Sequence, residues 1–128
     1  MEKDFDTWNT QKKKAQAIHA RPMFKEREVW WCSLGVNVGD EQDGKGASFT
    51  RPVFVLKKFN RNICIGIPLS TQLKDKPYYC HVRFKDIEQS LILSQIRLID
   101  AKRFKDKMGE LPSHEAEKIK EKLRELIF

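Results

Sequence analysis

Two short apolar runs flank a polar turn: Val53-Phe54-Val55-Leu56, then Phe59-Asn60-Arg61-Asn62, then Ile63-Cys64-Ile65-Gly66-Ile67-Pro68-Leu69. Runs of this length between turn residues read as strands, here Pro52 to Lys58 and Ile63 to Leu69, and so brief a turn joins them as a hairpin. The odd positions Ile63, Ile65, Ile67 and Leu69 are expected on the core face. Cys64, Gly66, Pro68 and Ser70 form a small-residue face, which leaves room for close approach from outside. A hairpin also brings the start of the first run, Arg51, beside the end of the second, Ser70.

The remaining elements follow from pattern and punctuation. Asp4 to His19 is expected as a helix with a narrow stripe of Phe5, Trp8, Ala15 and Ile18, ended at Arg21-Pro22. Arg27 to Ser33 alternates as a first strand, with Val29 and Trp31 on one side and Trp30 and Cys32 on the other. Leu34 to Thr50 is a long loop containing Gly35, Gly39, Gly44 and Gly46, and loops of this length in compact domains are usually functional or mobile. Tyr78 to Phe84 is a fourth strand, with Tyr78, Cys80, Val82 and Phe84 on one face and Tyr79, His81 and Arg83 on the other. Asp86 to Ser90 is expected to turn the chain into a fifth strand, Leu91 to Ile99. Asp100 to Gly109 is expected as a short helical turn followed by irregular chain. A last helix starts at Pro112-Ser113, with Ser113 as N-cap and a core-facing stripe of Ala116, Ile119, Leu123, Leu126 and Ile127. The fold class is therefore mainly β with helices (α+β), in which residues 1–24 are a helical extension and residues 25–128 a small barrel.

Composition narrows the chemistry. The 128 residues hold 25 Lys and Arg against 18 Asp and Glu, a net charge of +7 that favours a polyanionic partner. Cys32, Cys64 and Cys80 lack CxxC or CxxH spacing, so neither a disulfide framework nor a zinc site is expected. No apolar run approaches the ~20 residues that span a bilayer, and the acidic start Met1-Glu2-Lys3-Asp4 has no signal-peptide pattern. A cytoplasmic protein is expected. HExxH, P-loop and GxSxG motifs are all missing from the sequence. A two-histidine acid–base ribonuclease would need two of His19, His81 and His114 to converge; only His81 points to the polar face of a strand.

Arg51 with Ser70 or Thr71 is the strongest candidate constellation. A guanidinium, a hydroxyl and the N–H groups of a glycine-rich loop suit a phosphate whose charge grows during transfer. Spacing alone leaves open that the arginine and serine merely decorate a strand edge.

Five blocks in one order add to this reading. They are Gly39-Asp40-Glu41-Gln42, Arg51-Pro52-Val53-Phe54-Val55-Leu56, Asn60-Arg61, Ile67-Pro68-Leu69-Ser70-Thr71-Gln72 and Ser94-Gln95-Ile96-Arg97-Leu98-Ile99-Asp100. Together they resemble the MazF/PemK (Kid) family of toxin endoribonucleases. The resemblance implies a small SH3-like β-barrel of CcdB/Kid type, a homodimer, and cleavage of single-stranded RNA without metal or other cofactor. It implies attack of the ribose 2′-hydroxyl on the adjacent phosphate, with Arg51 and Ser70 in the catalytic positions. Arg51 would stabilise the pentavalent phosphate and could exchange a proton, against the high pKa of a guanidinium. Gln42, Thr71 and Gln95 would line the RNA groove, and Lys45 joins them because of its charge. The implied protein partner is a cognate antitoxin with an acidic tail.

Three features depart from the family pattern. The segment between Gln42 and Arg51 is longer, serine stands where threonine is commoner, and an N-terminal helix is added. The rival reading, from a different class, is a non-catalytic nucleic-acid- or protein-binding module on the same barrel, including a CcdB-like gyrase poison.

Overall fold

A computed structural model describes residues 22–35 and 50–128. The expected N-terminal helix and most of the glycine-rich loop, including Gln42 and Lys45, lie outside the described residues. Among those described, seven strands precede one long helix: β1 (Glu28–Ser33), β2 (Thr50–Lys58), β3 (Ile63–Ser70), β4 (Tyr79–Phe84), β5 (Ile87–Ile92), β6 (Arg97–Asp100), β7 (Phe104–Glu110) and α1 (Ser113–Ile127). All the strand pairings are antiparallel. The sheet runs β4-β5-β3-β2-β1-β7, and β6 also pairs with β3.

β3 is the hub. Along most of its length it pairs with β2, as the hairpin reading expects. On its other side, Ile63 to Gly66 pair with β6, whereas Leu69 and Ser70 pair with β5. One continuous strand could not reach both places. The expected strand Leu91 to Ile99 is accordingly interrupted by a 3-10 turn, Leu93–Gln95, closed by the Ile96 N–H donating to Leu93 O at 3.2 Å.

Two cores explain why the strands are apolar on both faces. One gathers Val29, Phe54, Ile67, Leu69, Leu91 and the buried face of β4 beneath Ala116, Ile119 and Leu123 of α1. The other gathers Phe24, Trp30, Cys32, Val53, Val55, Cys64, Ile99 and Phe104. Phe54 enters the first and its neighbours enter the second, so the run carries no polar position. This corrects the small-residue face expected on β3. Cys64, Gly66 and Pro68 are buried, and the space beside Gly66 is taken by Val53 and Ile99, not left for a ligand.

Several boundaries also shift. The chain turns at Lys85-Asp86, both at positive φ (53° and 64°), and Ile87 to Ile92 is strand where a turn is expected at Asp86 to Ser90. A Lys-Asp pair lacks the Asn-Gly signal of such two-residue turns. After the short helical turn Ala101–Arg103, the expected irregular segment is β7, paired with β1 through two register shifts. Its exposed Lys105, Asp106 and Lys107 hide the alternation. Pro112, not Ser113, caps α1: its carbonyl accepts the Glu115 and Ala116 N–H groups at 3.0 and 3.1 Å. The buried stripe ends at Leu123; Leu126 and Ile127 are exposed, Ile127 lining an open groove beside Leu56 and Lys57 of β2. Trp31 is likewise partly exposed while Trp30 is buried, its indole stacked on Phe104 at 5.3 Å.

Candidate active site

Arg51 is the second residue of β2, half-buried and paired with Cys32 of β1. Val53 is opposite Pro68 across the β2–β3 hairpin, and continuing that register by two residues sets Arg51 opposite Ser70. The guanidinium reaches the end of β3, where Nη1 donates to Leu69 O at 3.5 Å. Arginine and serine side chains thus share one end of the hairpin, and opposed residues of an antiparallel pair project to the same side.

Ser70 closes β3. Its Oγ accepts the Gln72 N–H at 3.1 Å, a local bond that restrains the side chain much as a β-branch would. With Oγ acting as acceptor there, the O–H points elsewhere and can donate. Thr71 lies exposed immediately beyond Ser70. Gln95 is half-buried in the 3-10 turn that packs on β3. Of the six residues singled out, Arg51 and Ser70 come together, Thr71 and Gln95 lie on segments adjoining β3, and Gln42 and Lys45 lie outside the described residues.

The register extends the row. Ser70 is opposite Ser90 of β5, and Ser90 is opposite His81 of β4. Ser90 is fully buried, and its Oγ has no hydrogen-bond partner among the described residues. Sequence reasoning missed it. The signal was a polar pair, Gln89-Ser90, heading an apolar run, and the expected turn at that place obscured it. His81, kept as the one histidine on a polar face, is exposed, and its Nε2–H donates to Lys74 O at 3.0 Å.

The three thiols lie apart from this chemistry. All are buried and free, and burial pushes Cys32 and Cys64 each up to about 12.

The profile of the PemK-like, MazF-like toxin of type II toxin–antitoxin systems matches residues 25–127. The chain belongs to the PemK/MazF toxin family. Members of this family are typically endoribonucleases of toxin–antitoxin systems. Solved structures agree on the PemK/MazF fold. MazF from Deinococcus radiodurans superposes with a TM-score of 0.64 at 16% identity, covering 83% of this chain and 97% of that one. An endoribonuclease in complex with its cognate antitoxin from a mycobacterial species gives 0.61 at 16% identity, covering 81% and 92%. A mycobacterial endoribonuclease gives 0.57 at 14% identity, covering 82% and 89%. At such identities the likeness establishes the fold alone. No curated protein sequence matches. Among the described residues, no helix is long and apolar enough to cross a membrane.

Proposed function

We propose that this PemK/MazF-family chain is a cytoplasmic endoribonuclease toxin that cuts single-stranded RNA without a metal. The observation that carries the reading is the meeting of Arg51 and Ser70 at one end of the β2–β3 hairpin, with the guanidinium 3.5 Å from the Leu69 carbonyl. In the proposed reaction the ribose 2′-hydroxyl attacks the adjacent phosphorus. The bond to the 5′-oxygen breaks, leaving a 2′,3′-cyclic phosphate and a 5′-hydroxyl. Negative charge grows on the non-bridging oxygens as the phosphorus becomes pentavalent. Arg51, a planar fork of donors, meets that charge, and the Ser70 hydroxyl donates to one of the oxygens. A guanidinium pKa above ~12 suits a charge stabiliser better than a general base. Gln42, Lys45, Thr71 and Gln95 are proposed to line the groove that holds the RNA on either side.

The proposed assembly is a homodimer held inactive by a cognate antitoxin. Support comes from family membership and from the structural neighbour that was solved as an endoribonuclease with its antitoxin. The test is incubation of the purified chain with mixed-sequence single-stranded RNA in EDTA, beside an Arg51→Ala variant. Fragments from the first and intact RNA from the second are expected. Intact RNA with both, from folded protein freed of antitoxin, would overturn the proposal.

A further inference from the structure

A cavity of about 250 Å³ opens at the outer edge of β4, between the β3–β4 connection and α1. Lys74 and Lys76 reach it from the connection, Tyr79 and His81 from β4, and Lys118 and Lys122 from the helix. Asp75 also lines it, and Glu115 stands nearby, already engaged by the Lys118 ammonium at 3.0 Å and the Arg83 N–H at 3.1 Å. With Lys118 already paired to Glu115, three further ammonium groups, those of Lys74, Lys76 and Lys122, line the cavity beside one carboxylate, Asp75. Cys80 also lines the cavity, and burial raises its thiol pKa. Structural elements hold the walls in place. The His81–Lys74 hydrogen bond ties the connection to β4, and Glu115 ties the helix to the same strand.

We infer that this cavity holds a backbone phosphate of single-stranded RNA a short way along the strand from the linkage at Ser70. The inference rests on the nuclease reading for the position of that linkage. β4 is two strands from β3, so the cavity lies on the order of 10 Å from Ser70 at ordinary strand spacing. That span exceeds the separation of neighbouring phosphates, so the strand crosses it with at least one further linkage between the cavity and Ser70. Lysines bind phosphate as point charges without requiring one fixed geometry. Tyr79 lines the cavity and its ring lies 5.3 Å from that of Tyr78, whose partly exposed face offers a surface on which a base can stack. An acidic peptide would satisfy the lysines but would leave the exposed face of Tyr78 uncovered.

The experiment measures binding of a 2′-O-methyl oligoribonucleotide, which cannot be cut, over a range of salt concentrations. It compares wild type with Lys118→Ala/Lys122→Ala and, separately, Lys74→Ala/Lys76→Ala. Thermal melts check folding, and the second pair lies on a surface connection in case the helix variant does not fold. Severalfold weaker binding is expected, with the salt slope reduced by about 0.7 for each phosphate that is no longer neutralised. Cleavage of natural RNA at saturation should persist. Affinity and slope equal to wild type in folded variants would overturn the inference. So would a loss confined to binding of a polyglutamate peptide. If wild type binds but does not cut, and the variants still lower the slope, the nuclease reading fails and the cavity stands. If wild type cuts and the variants bind as it does, the cavity alone fails.

Discussion

Glu28 is a carboxylate at 4% exposure that organises one corner of the barrel. Burial works to raise its pKa. Hydrogen bonds from Trp30 Nε1 at 2.9 Å and the Lys25 N–H at 2.8 Å, with Lys107 Nζ at 3.0 Å, outweigh burial and hold it below its ordinary 4.5. A lowered folded-state pKa contributes stability that is complete above 4.5 and is lost as pH falls through the folded value. Glu28→Gln should therefore cost about 1–3 kcal/mol near neutrality. That difference should shrink below pH 4.5, as read from denaturant melts at several pH values. A gap independent of pH would contradict the account. On the proposed mechanism the Ser70 hydroxyl is what the reaction uses, and the Gln72 N–H already bonds that oxygen at 3.1 Å. Ser70→Thr should keep RNA cleavage, whereas Ser70→Ala should lose about 10²–10³ in kcat, the usual cost of one donor to a developing oxyanion. Arg51 and Ser70 were legible in the sequence because a short hairpin turn fixes which ends meet. Ser90 was not, since its place opposite Ser70 depends on a turn that no glycine or asparagine marks.

Among the elements, β3 carries the most constraint, because β2, β5 and β6 all pair with it. Gly66 is the tightest point of that packing. A Cβ there would stand 2.6 Å from Val53 Cγ1 and 2.7 Å from Ile99 Cδ1, well inside contact distance. Gly66→Ala is expected to destabilise the fold by about 1–3 kcal/mol through overpacking, measurable by chemical denaturation; an unchanged midpoint would show that both neighbours can swing aside. The Lys85-Asp86 turn makes the opposite prediction. Both residues sit at positive φ, where side chains other than Asn, Asp or Gly are costly. Lys85→Asn with Asp86→Gly should raise stability by about 1 kcal/mol; a lower melting temperature would contradict this. The central hairpin and the stripe of α1 up to Leu123 were readable because their apolar periods are unbroken. β5 was not, because no glycine or asparagine marks the turn from β4; β6 and β7 were not, since each depends on a partner distant in sequence, β6 on β3 and β7, with its charged outer face, on β1.

At the scale of the whole molecule, the basic balance of +7 and the two-core barrel are joint consequences of one design. The middle parts of β2 and β3 are covered on both faces, so their polar groups are confined to the strand ends, where Arg51 and Ser70 lie. A family of toxins with this fold fits that arrangement. The central claim is that the RNA supplies its own nucleophile while Arg51 and Ser70 stabilise the phosphate. The most direct test uses a pair of oligoribonucleotides containing a mapped cleavage site, identical except for a single 2′-deoxy substitution on the 5′ side of the cut linkage. The all-ribose strand should give a 2′,3′-cyclic phosphate by mass spectrometry, and the substituted strand should stay intact at that linkage. Cleavage of the deoxy-substituted linkage, or a first-formed end other than the cyclic phosphate, would contradict the claim.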